Sequence, residues 1–331
     1  MIITLHPWLT QLYKNIVLQY QKGKPHHAIL INTHRGIGVL NLVNAITCWL
    51  LCTEKKNIYF CGSCHGCQLM LSNNHPDYYQ ITLKKNKKTF GIELIRDTIH
   101  KISYTSQQGG EKVINISDIA YITPQGICAL LKNLEEPPKN TWFLLINYNT
   151  TIVPNTLSSR CISYFLPPPI EYIGLNWLKK YNNTYNKNHE ISLLTALRIS
   201  EGSPIIAKKI LYGKLWSERT YFFIQLNKAV NEKNFFHLLS IFKKKKINII
   251  FYINWICFFL LDIIKWKYNL YSSIINLDQK QLIQYYSNNY SIQSINNTTS
   301  SWIQCRFQLI NVIGINYELL LTKELLKWEL E

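Results

Sequence analysis

The sequence predicts an α/β domain followed by all-α domains, on two features of its hydrophobic pattern. In the first half, short β-rich runs alternate with helical periodicity, which is typical of a mostly parallel sheet covered on both faces. Pro167-Pro168-Pro169 interrupts that alternation, and only helical periodicity follows as far as Glu331. Of the 331 residues 47% are hydrophobic, which suffices for a sizeable core and excludes wholesale disorder.

The pattern gives bounds for each element of the first domain. The predicted strands are residues 28–31, 78–82, 113–116, 142–146 and 161–166, and the predicted helices are residues 39–52, 92–102 and 124–134. We predict three domains: an α/β domain over 1–166, a small helical domain over 167–211 and a larger helical domain over 212–331. Gly202-Ser203-Pro204 punctuates the second domain, and we expect polar stretches such as Asn296-Asn297-Thr298-Thr299 to break the helices of the third.

The charge balance favours polyanionic partners. Lys and Arg number 36 against 19 Asp and Glu, a net charge of +17, which suits nucleic acid first and an anionic membrane surface second. Compositional drift in an AT-rich coding sequence is the alternative, since Ile, Asn and Lys are abundant and Tyr numbers 21 against Met 2. Both interpretations stay open at this point.

One apolar segment is a candidate membrane span: residues 247–261, which follow the run Lys243-Lys244-Lys245-Lys246. It is shorter than the ~20 residues that a span requires. At 100° per residue its polar side chains share one arc, which favours a buried helix of a domain; they are Asn248, Asn254, Asp262 and Lys265. The N-terminus has neither a basic nor an apolar signal region. We therefore expect a soluble, cytoplasmic protein with no membrane partner.

The cysteines form the strongest local motif. Cys61-Gly62-Ser63-Cys64-His65-Gly66-Cys67 follows Cys52 by nine residues, and four thiolates make a closed tetrahedral site for a structural Zn²⁺. An iron–sulfur cluster is an alternative, although Leu71 stands where its next cysteine is expected. Cys48 and His65 are rival fourth ligands. We predict zinc bound by Cys52, Cys61, Cys64 and Cys67.

The turn over residues 33–38 lies where a phosphate-binding loop would lie, after a strand and before a helix. The functional motif is G-x-x-x-x-G-K-[ST], whose Lys reaches the β- and γ-phosphates and whose hydroxyl binds Mg²⁺. Gly36 and Gly38 are present here, but Thr33 replaces the first Gly, and Val39 and Leu40 replace the Lys and the hydroxyl residue. We expect nucleotide binding to be badly weakened or lost.

Other polar residues support the same expectation or carry no chemistry. An ATPase of this layout holds Mg²⁺ with an Asp at the end of its third strand, followed by a catalytic Glu; here Ser117 and Asp118 occupy these places. Glu135-Glu136 precedes the double proline Pro137-Pro138 and predicts a helix end rather than an acid–base pair. His26-His27 predicts packing or capping rather than metal binding.

Three stretches resemble the AAA+ clamp-loader family. They are His75-Pro76-Asp77-Tyr78-Tyr79, the run from Ala129 to Pro138 and Ser159-Arg160-Cys161. With the four cysteines, the degenerate loop and Gly314 to Leu320, the resemblance covers essentially the whole chain. It implies an AAA+ P-loop-like sheet domain with a zinc module inserted at about 52–67, a helical lid domain and a helical collar domain that oligomerises.

The resemblance also implies a function. Bacterial clamp loaders of DNA polymerase III are five-subunit rings that place a sliding clamp on primed DNA. The match is to a subunit that binds no ATP of its own and acts as a rigid stator beside gamma/tau and delta subunits. Its Ser-Arg-Cys motif reaches a neighbouring gamma/tau ATP site, which makes Arg160, beside Ser159, an arginine finger in trans. ATP-binding relatives carry Arg where Ile205 stands here.

Two alternatives follow from the same residues. The first is an active ATPase of the gamma/tau type, against which Val39, Leu40, Ser117 and Ile205 all argue. The second is a zinc-containing DNA-binding module that uses the basic cluster Lys84-Lys85-Lys87-Lys88. Loss of binding at high salt would be the mark of such phosphate contacts.

Overall fold

The first half of the chain forms one sheet of five parallel strands. The strands are β1 (Ala28–Thr33), β2 (Tyr78–Ile81), β3 (Lys112–Ile116), β4 (Thr141–Asn147) and β5 (Ile162–Leu166). Their order is β2-β3-β4-β1-β5, with every neighbouring pair parallel. Register places Ile29 of β1 beside Leu144 of β4 and Ile162 of β5. The predicted strands are confirmed to within two residues at each end.

Helices cover both faces of this sheet. They are α1 (Thr10–Gln21), α2 (Val39–Leu51), α3 (His65–Leu71), α4 (Ile92–Ser103), α5 (Pro124–Glu135) and the short α6 (Asn155–Ser158). Alternate residues of β1 enter different cores: Ile29 and Ile31 pack on the α1–α2 side, and Ala28 and Leu30 on the other side. This is the period of two that a sheet buried on both faces requires.

The computed structural model describes residues 4–23, 25–83, 89–148, 153–181, 187–232, 234–242, 246–312 and 314–330. It divides the chain into two compact units, Met1–Pro169 and Ile170–Glu331. The first boundary predicted from the prolines lies within three residues of that division. The further separation of a lid domain from a collar domain stays a prediction.

The second unit is helical in the part that the structure describes. Its helices are α7 (Glu171–Lys179), α8 (Lys187–Ile199), α9 (Pro204–Leu211), α10 (Lys214–Glu232), α11 (Leu239–Phe242), α12 (Lys246–Lys267), α13 (Lys280–Asn289), α14 (Ile292–Asn311) and α15 (Tyr317–Leu330). Arg198 of α8 connects the first helices to the later ones, because it donates to the Ile274 carbonyl and pairs with Glu171.

Helix α12 is the centre of the second unit's core. Ile253, Ile256 and Leu260 are fully buried among side chains of the neighbouring helices. By length and composition Ile249–Lys267 is apolar enough to cross a membrane, but more than half of its residues are buried within this unit, as expected of a core helix. The polar residue Asp262 is buried and accepts hydrogen bonds from the backbone N–H groups of Ile275 and Asn276.

One expected helix break is wrong. Asn296-Asn297-Thr298-Thr299 lies inside the 20-residue helix α14. The Thr298 and Thr299 hydroxyls donate to the carbonyls of Ser294 and Ile295, four residues earlier. Because the helix itself satisfies these two hydroxyls, they can be buried without ending it.

Candidate functional site

The four cysteines predicted as metal ligands meet in one cluster. The Sγ atoms of Cys52, Cys61, Cys64 and Cys67 all lie within 4.8 Å of one another. The Sγ–Sγ distances are 3.6 Å for Cys52–Cys61, 3.8 Å for Cys52–Cys64 and 3.9 Å for Cys61–Cys67. A tetrahedral Zn²⁺ with Zn–S bonds of about 2.3 Å places its sulfurs about 3.8 Å apart. The geometry therefore fits a four-thiolate metal ion.

Two helix ends and two glycines position the sulfurs. Cys52 follows the last residue of α2, and Cys64 precedes the first residue of α3. Gly62 has φ of 76°, a conformation that favours glycine. At Gly66 a Cβ would lie 2.6 Å from the Leu51 carbonyl oxygen, so only glycine allows the two helices to approach this closely.

The rival ligands lie elsewhere. Cys48 is 1% exposed and belongs to the core between α2 and the sheet, where burial raises the pKa of its thiol to about 12. His65 begins α3 and is exposed. Among the described residues the metal-binding group contains neither of them.

Backbone N–H groups point at the sulfurs, as they do in thiolate sites. The Cys64 N–H donates to Cys61 Sγ at 3.2 Å and the Cys61 N–H to Cys52 Sγ at 3.4 Å. The Cys64 and Ser63 N–H groups lower the pKa of Cys61. Burial raises the pKa of Cys64, but hydrogen bonds from Thr53 and Cys67 outweigh it and bring the value to about 5. Burial raises the pKa values of Cys52 and Cys67, so the protein by itself favours the thiolate, the form that binds metal, at Cys61 and Cys64.

The turn from β1 to α2 has the backbone shape of a phosphate-binding loop. Gly36 and Gly38 have φ of 80° and 89°, and Gly38 caps the start of α2. Its side chains differ from those of a nucleotide site: the Thr33 hydroxyl is buried and donates to the Leu166 carbonyl at 3.0 Å. Val39 is buried in the core and Leu40 is exposed, so neither offers a polar atom to a phosphate or Mg²⁺.

The N-terminal segment packs against this turn. The Trp8 indole N–H donates to the Ile37 carbonyl at 2.8 Å. The His6 ring stacks on Trp8 with 4.9 Å between ring centres, and the Asn41 side chain lies 3.2 Å from the His6 ring nitrogen Nε2. These contacts hold the turn and the start of α2 against the N-terminal segment.

Arg35, inside the turn, binds the acidic end of β3, a role that the sequence did not suggest. Its guanidinium lies 3.0 Å from Asp118 Oδ2, donates to the Tyr121 hydroxyl at 3.1 Å and lies over the Tyr148 ring. The Asp118 side chain is 5% exposed; burial raises its pKa, against the effect of the Ala120 N–H and Arg35. The Asp118 carboxylate is therefore paired with a cation of the same chain, the Arg35 guanidinium. The Ser117 hydroxyl donates to the Ile81 carbonyl.

Arg160 lies in the turn between α6 and β5. Its Nε donates to Glu135 Oε1 at 2.6 Å, and one terminal nitrogen donates to the Thr156 carbonyl at 2.7 Å and lies 3.4 Å from the Ser159 hydroxyl. The Arg160 side chain is 32% exposed, and Ser159 is exposed. Cys161 is buried, which raises the pKa of its thiol to about 12. The turn thus leaves the Arg160 guanidinium partly exposed and buries the Cys161 thiol.

The remaining sequence predictions fall in ordinary surroundings. Ile205 is half-buried in the first turn of α9. His27 Nε2 lies 2.7 Å from the Leu134 carbonyl oxygen, and the His26 and His27 rings stack, so packing is confirmed for this pair. The basic cluster Lys84-Lys85-Lys87-Lys88 lies outside the described residues.

Comparison with known proteins gives matches over nearly the whole chain. A family model described as DNA polymerase III, delta subunit, matches residues 8–169, and one described as DNA polymerase III, delta subunit, C terminal, matches residues 213–330. DNA polymerase III subunit delta' of Buchnera aphidicola subsp. Acyrthosiphon pisum (strain APS) is 46% identical over 98% of both chains. The Escherichia coli (strain K12) subunit delta' is 34% identical over 98% of this chain and 95% of its own.

A solved structure shows the fold. The DNA polymerase III gamma subunit-related protein of Thermotoga maritima MSB8 superposes with a TM-score of 0.50 at 18% identity, covering 97% of this chain and 99% of its own. Together with the parallel sheet of five strands, this likeness shows that the two proteins share a fold. The relatives are more specific than the fold, and the chain belongs to the DNA polymerase III subunit delta' family.

Proposed function

We propose that this polymerase subunit is the ATP-independent stator of a bacterial clamp loader and supplies Arg160 in trans to the ATP site of a neighbouring gamma/tau subunit. The observation that carries the proposal is a contrast within the first unit. Arg160 is partly exposed on a short turn, whereas the chain's own phosphate-loop turn has apolar side chains at the positions that would bind phosphate and Mg²⁺.

The chain's own loop supports the absence of intrinsic catalysis. Phosphoryl transfer depends on a loop Lys, a hydroxyl and an acidic residue that hold the phosphates and Mg²⁺. Val39, Leu40 and Ser117 replace them, and the remaining carboxylate, Asp118, is bound to Arg35 at 3.0 Å. Asp118 stands at the position of the catalytic Glu, and its pairing with the Arg35 guanidinium opposes any use of this carboxylate as a base.

The chemistry of Arg160 follows from its guanidinium. During hydrolysis, charge is spread over the oxygens of the γ-phosphoryl group, and planar N–H donors held against these oxygens stabilise it. Fingers of this kind supply about 10³–10⁵ in rate. Ser159 contributes to the turn, because its hydroxyl donates to the Thr156 carbonyl at 3.3 Å.

The four-cysteine cluster has a structural role in this proposal. It would hold Zn²⁺ through Cys52, Cys61, Cys64 and Cys67, and four protein ligands leave no position for a reacting water. The ion would join the end of α2 to the start of α3. The partners are the gamma/tau and delta subunits of a hetero-pentamer, with primed DNA reached through the complex and the sliding clamp indirectly.

The test of the proposal is ATP hydrolysis in a reconstituted clamp loader in which the gamma/tau site next to this chain is the sole site able to hydrolyse ATP. Arg160→Ala is expected to lower kcat at that site about 10³-fold or more while the ring assembles normally. Arg160→Lys keeps the charge but loses the planar fork, so little of the rate returns. Arg96→Ala removes another exposed arginine of the same unit and serves as the matched control. Wild-type hydrolysis by the Arg160→Ala ring would refute the finger.

A further inference from the structure

The carboxylate beside Arg160 belongs to the last residue of α5. Glu135 Oε1 accepts from Arg160 Nε at 2.6 Å and also forms an ion pair with a terminal nitrogen of the same guanidinium. On the other side the Thr156 carbonyl accepts from the remaining terminal nitrogen at 2.7 Å. Acceptors from two different elements therefore hold the guanidinium.

The packing of α5 fixes the backbone at Glu135, whose side chain is 49% exposed. Helix α5 begins at Pro124, where the Thr123 hydroxyl accepts from the Gly126 N–H. It ends at Glu135 because Pro137-Pro138 forbids continuation. The neighbouring Leu134 is 1% exposed in the core under the sheet. The carboxylate thus projects from a packed helix end, while Arg160 comes from a turn 25 residues later.

An arginine side chain has several freely rotating bonds, and a finger acts only when its guanidinium is held at one place. Ordering such a side chain during the reaction costs free energy that a pre-formed contact avoids. The contact with Glu135 uses the Nε edge of the guanidinium and is partly exposed on both partners. Its value therefore lies in orientation rather than in stability of the fold.

We propose that Glu135 is a positioning residue that holds the Arg160 guanidinium ready for the neighbouring ATP site. The inference rests on the proposed function of Arg160 and extends it to the Glu-Pro-Pro end of α5. It assigns a role to a carboxylate whose sequence setting predicts a helix end alone.

The test uses the same reconstituted ring with a single hydrolysing site. Glu135→Ala is expected to lower kcat about three- to tenfold with KM for ATP unchanged, since the ordering of one long side chain is lost. Glu135→Gln keeps an acceptor oxygen at the same place and retains about half or more of the rate. Glu136→Ala removes the adjacent exposed carboxylate and leaves kcat unchanged. In the Arg160→Ala background, Glu135→Ala has no further effect, because it acts through Arg160.

The outcomes separate the two proposals. If Arg160→Ala itself hydrolyses at the wild-type rate, the finger is refuted and Glu135 has nothing to position. If the Arg160→Ala ring is slow but the Glu135→Ala ring is not, only the positioning role of Glu135 is refuted and the finger stands. A faster Glu135→Ala ring would mean that the carboxylate restrains the finger, and a further loss in the Arg160→Ala background would mean that it acts by another route. Either result overturns the positioning role.

Discussion

Gly66→Ala tests how closely the metal centre depends on the approach of α3 to α2. The new Cβ would lie 2.6 Å from the Leu51 carbonyl oxygen, about 0.7 Å inside the ~3.3 Å at which ordinary carbon–oxygen contacts begin. Cys67 follows Gly66 and Cys52 follows Leu51 in the chain, so relief of the clash separates two ligands. Metal–sulfur distances tolerate only about 0.2 Å.

We expect Gly66→Ala to weaken Zn²⁺ binding about 10- to 100-fold, or about 1.4–2.8 kcal/mol, the range found when the support of metal ligands is altered. The assay is competition for Zn²⁺ with a chromogenic chelator at constant pH. Gly110→Ala is the control, because a Cβ there meets nothing within 4 Å. Equal zinc affinities for the two variants would refute the reasoning.

Two further predictions concern buried carboxylates. Arg35→Met leaves Asp118 buried without its cation and is expected to cost about 1 kcal/mol at pH 7. Burial already raises the Asp118 pKa, and losing Arg35 raises it further. The loss of stability is therefore present above the folded-state pKa and disappears as acid protonates the carboxyl. Urea unfolding at pH 7 and pH 4 measures this loss, and an equal loss at both pH values would contradict the prediction. Asp262→Ala removes the acceptor of the Ile275 and Asn276 N–H groups and is expected to lower the free energy of unfolding by about 3 kcal/mol. A decrease below about 1 kcal/mol in urea unfolding would disprove the role of Asp262.

Local patterns were sufficient to predict much of the fold. The five strands alternate with helices, and each strand is a short apolar run between turn residues, so both type and position could be predicted. The same holds for the cysteines, whose spacing predicts a cluster without knowledge of the sheet. The helix α3 inside the cysteine motif and α1 before the first strand were not predicted. Helix α3 has only seven residues, too few to show a period, whereas α1 does bury Tyr13, Ile16 and Val17 at helical spacing, so its pattern was present in the sequence.

Pairs that form across the sheet could not be predicted. Arg35 binds Asp118, 83 residues away, because β1 and β3 end at the same edge of a parallel sheet. Glu135 meets Arg160 through the return of the chain from α5 by way of β4 and α6. Neither pairing leaves a pattern in the local sequence. At Thr298 and Thr299 the local pattern is present but misleading, because hydrogen bonds within the helix accommodate polar residues that usually end helices.

We propose that this subunit binds no ATP of its own and acts on the ATP of a neighbouring gamma/tau subunit. Titration of the purified chain with labelled ATP and Mg²⁺, beside a gamma/tau-type subunit as positive control, tests it most directly. The apolar positions Val39 and Leu40 and the Arg35–Asp118 pair predict no saturable binding up to about millimolar nucleotide. Saturable binding at about micromolar ATP would contradict this proposal and favour an active ATPase of the gamma/tau type instead.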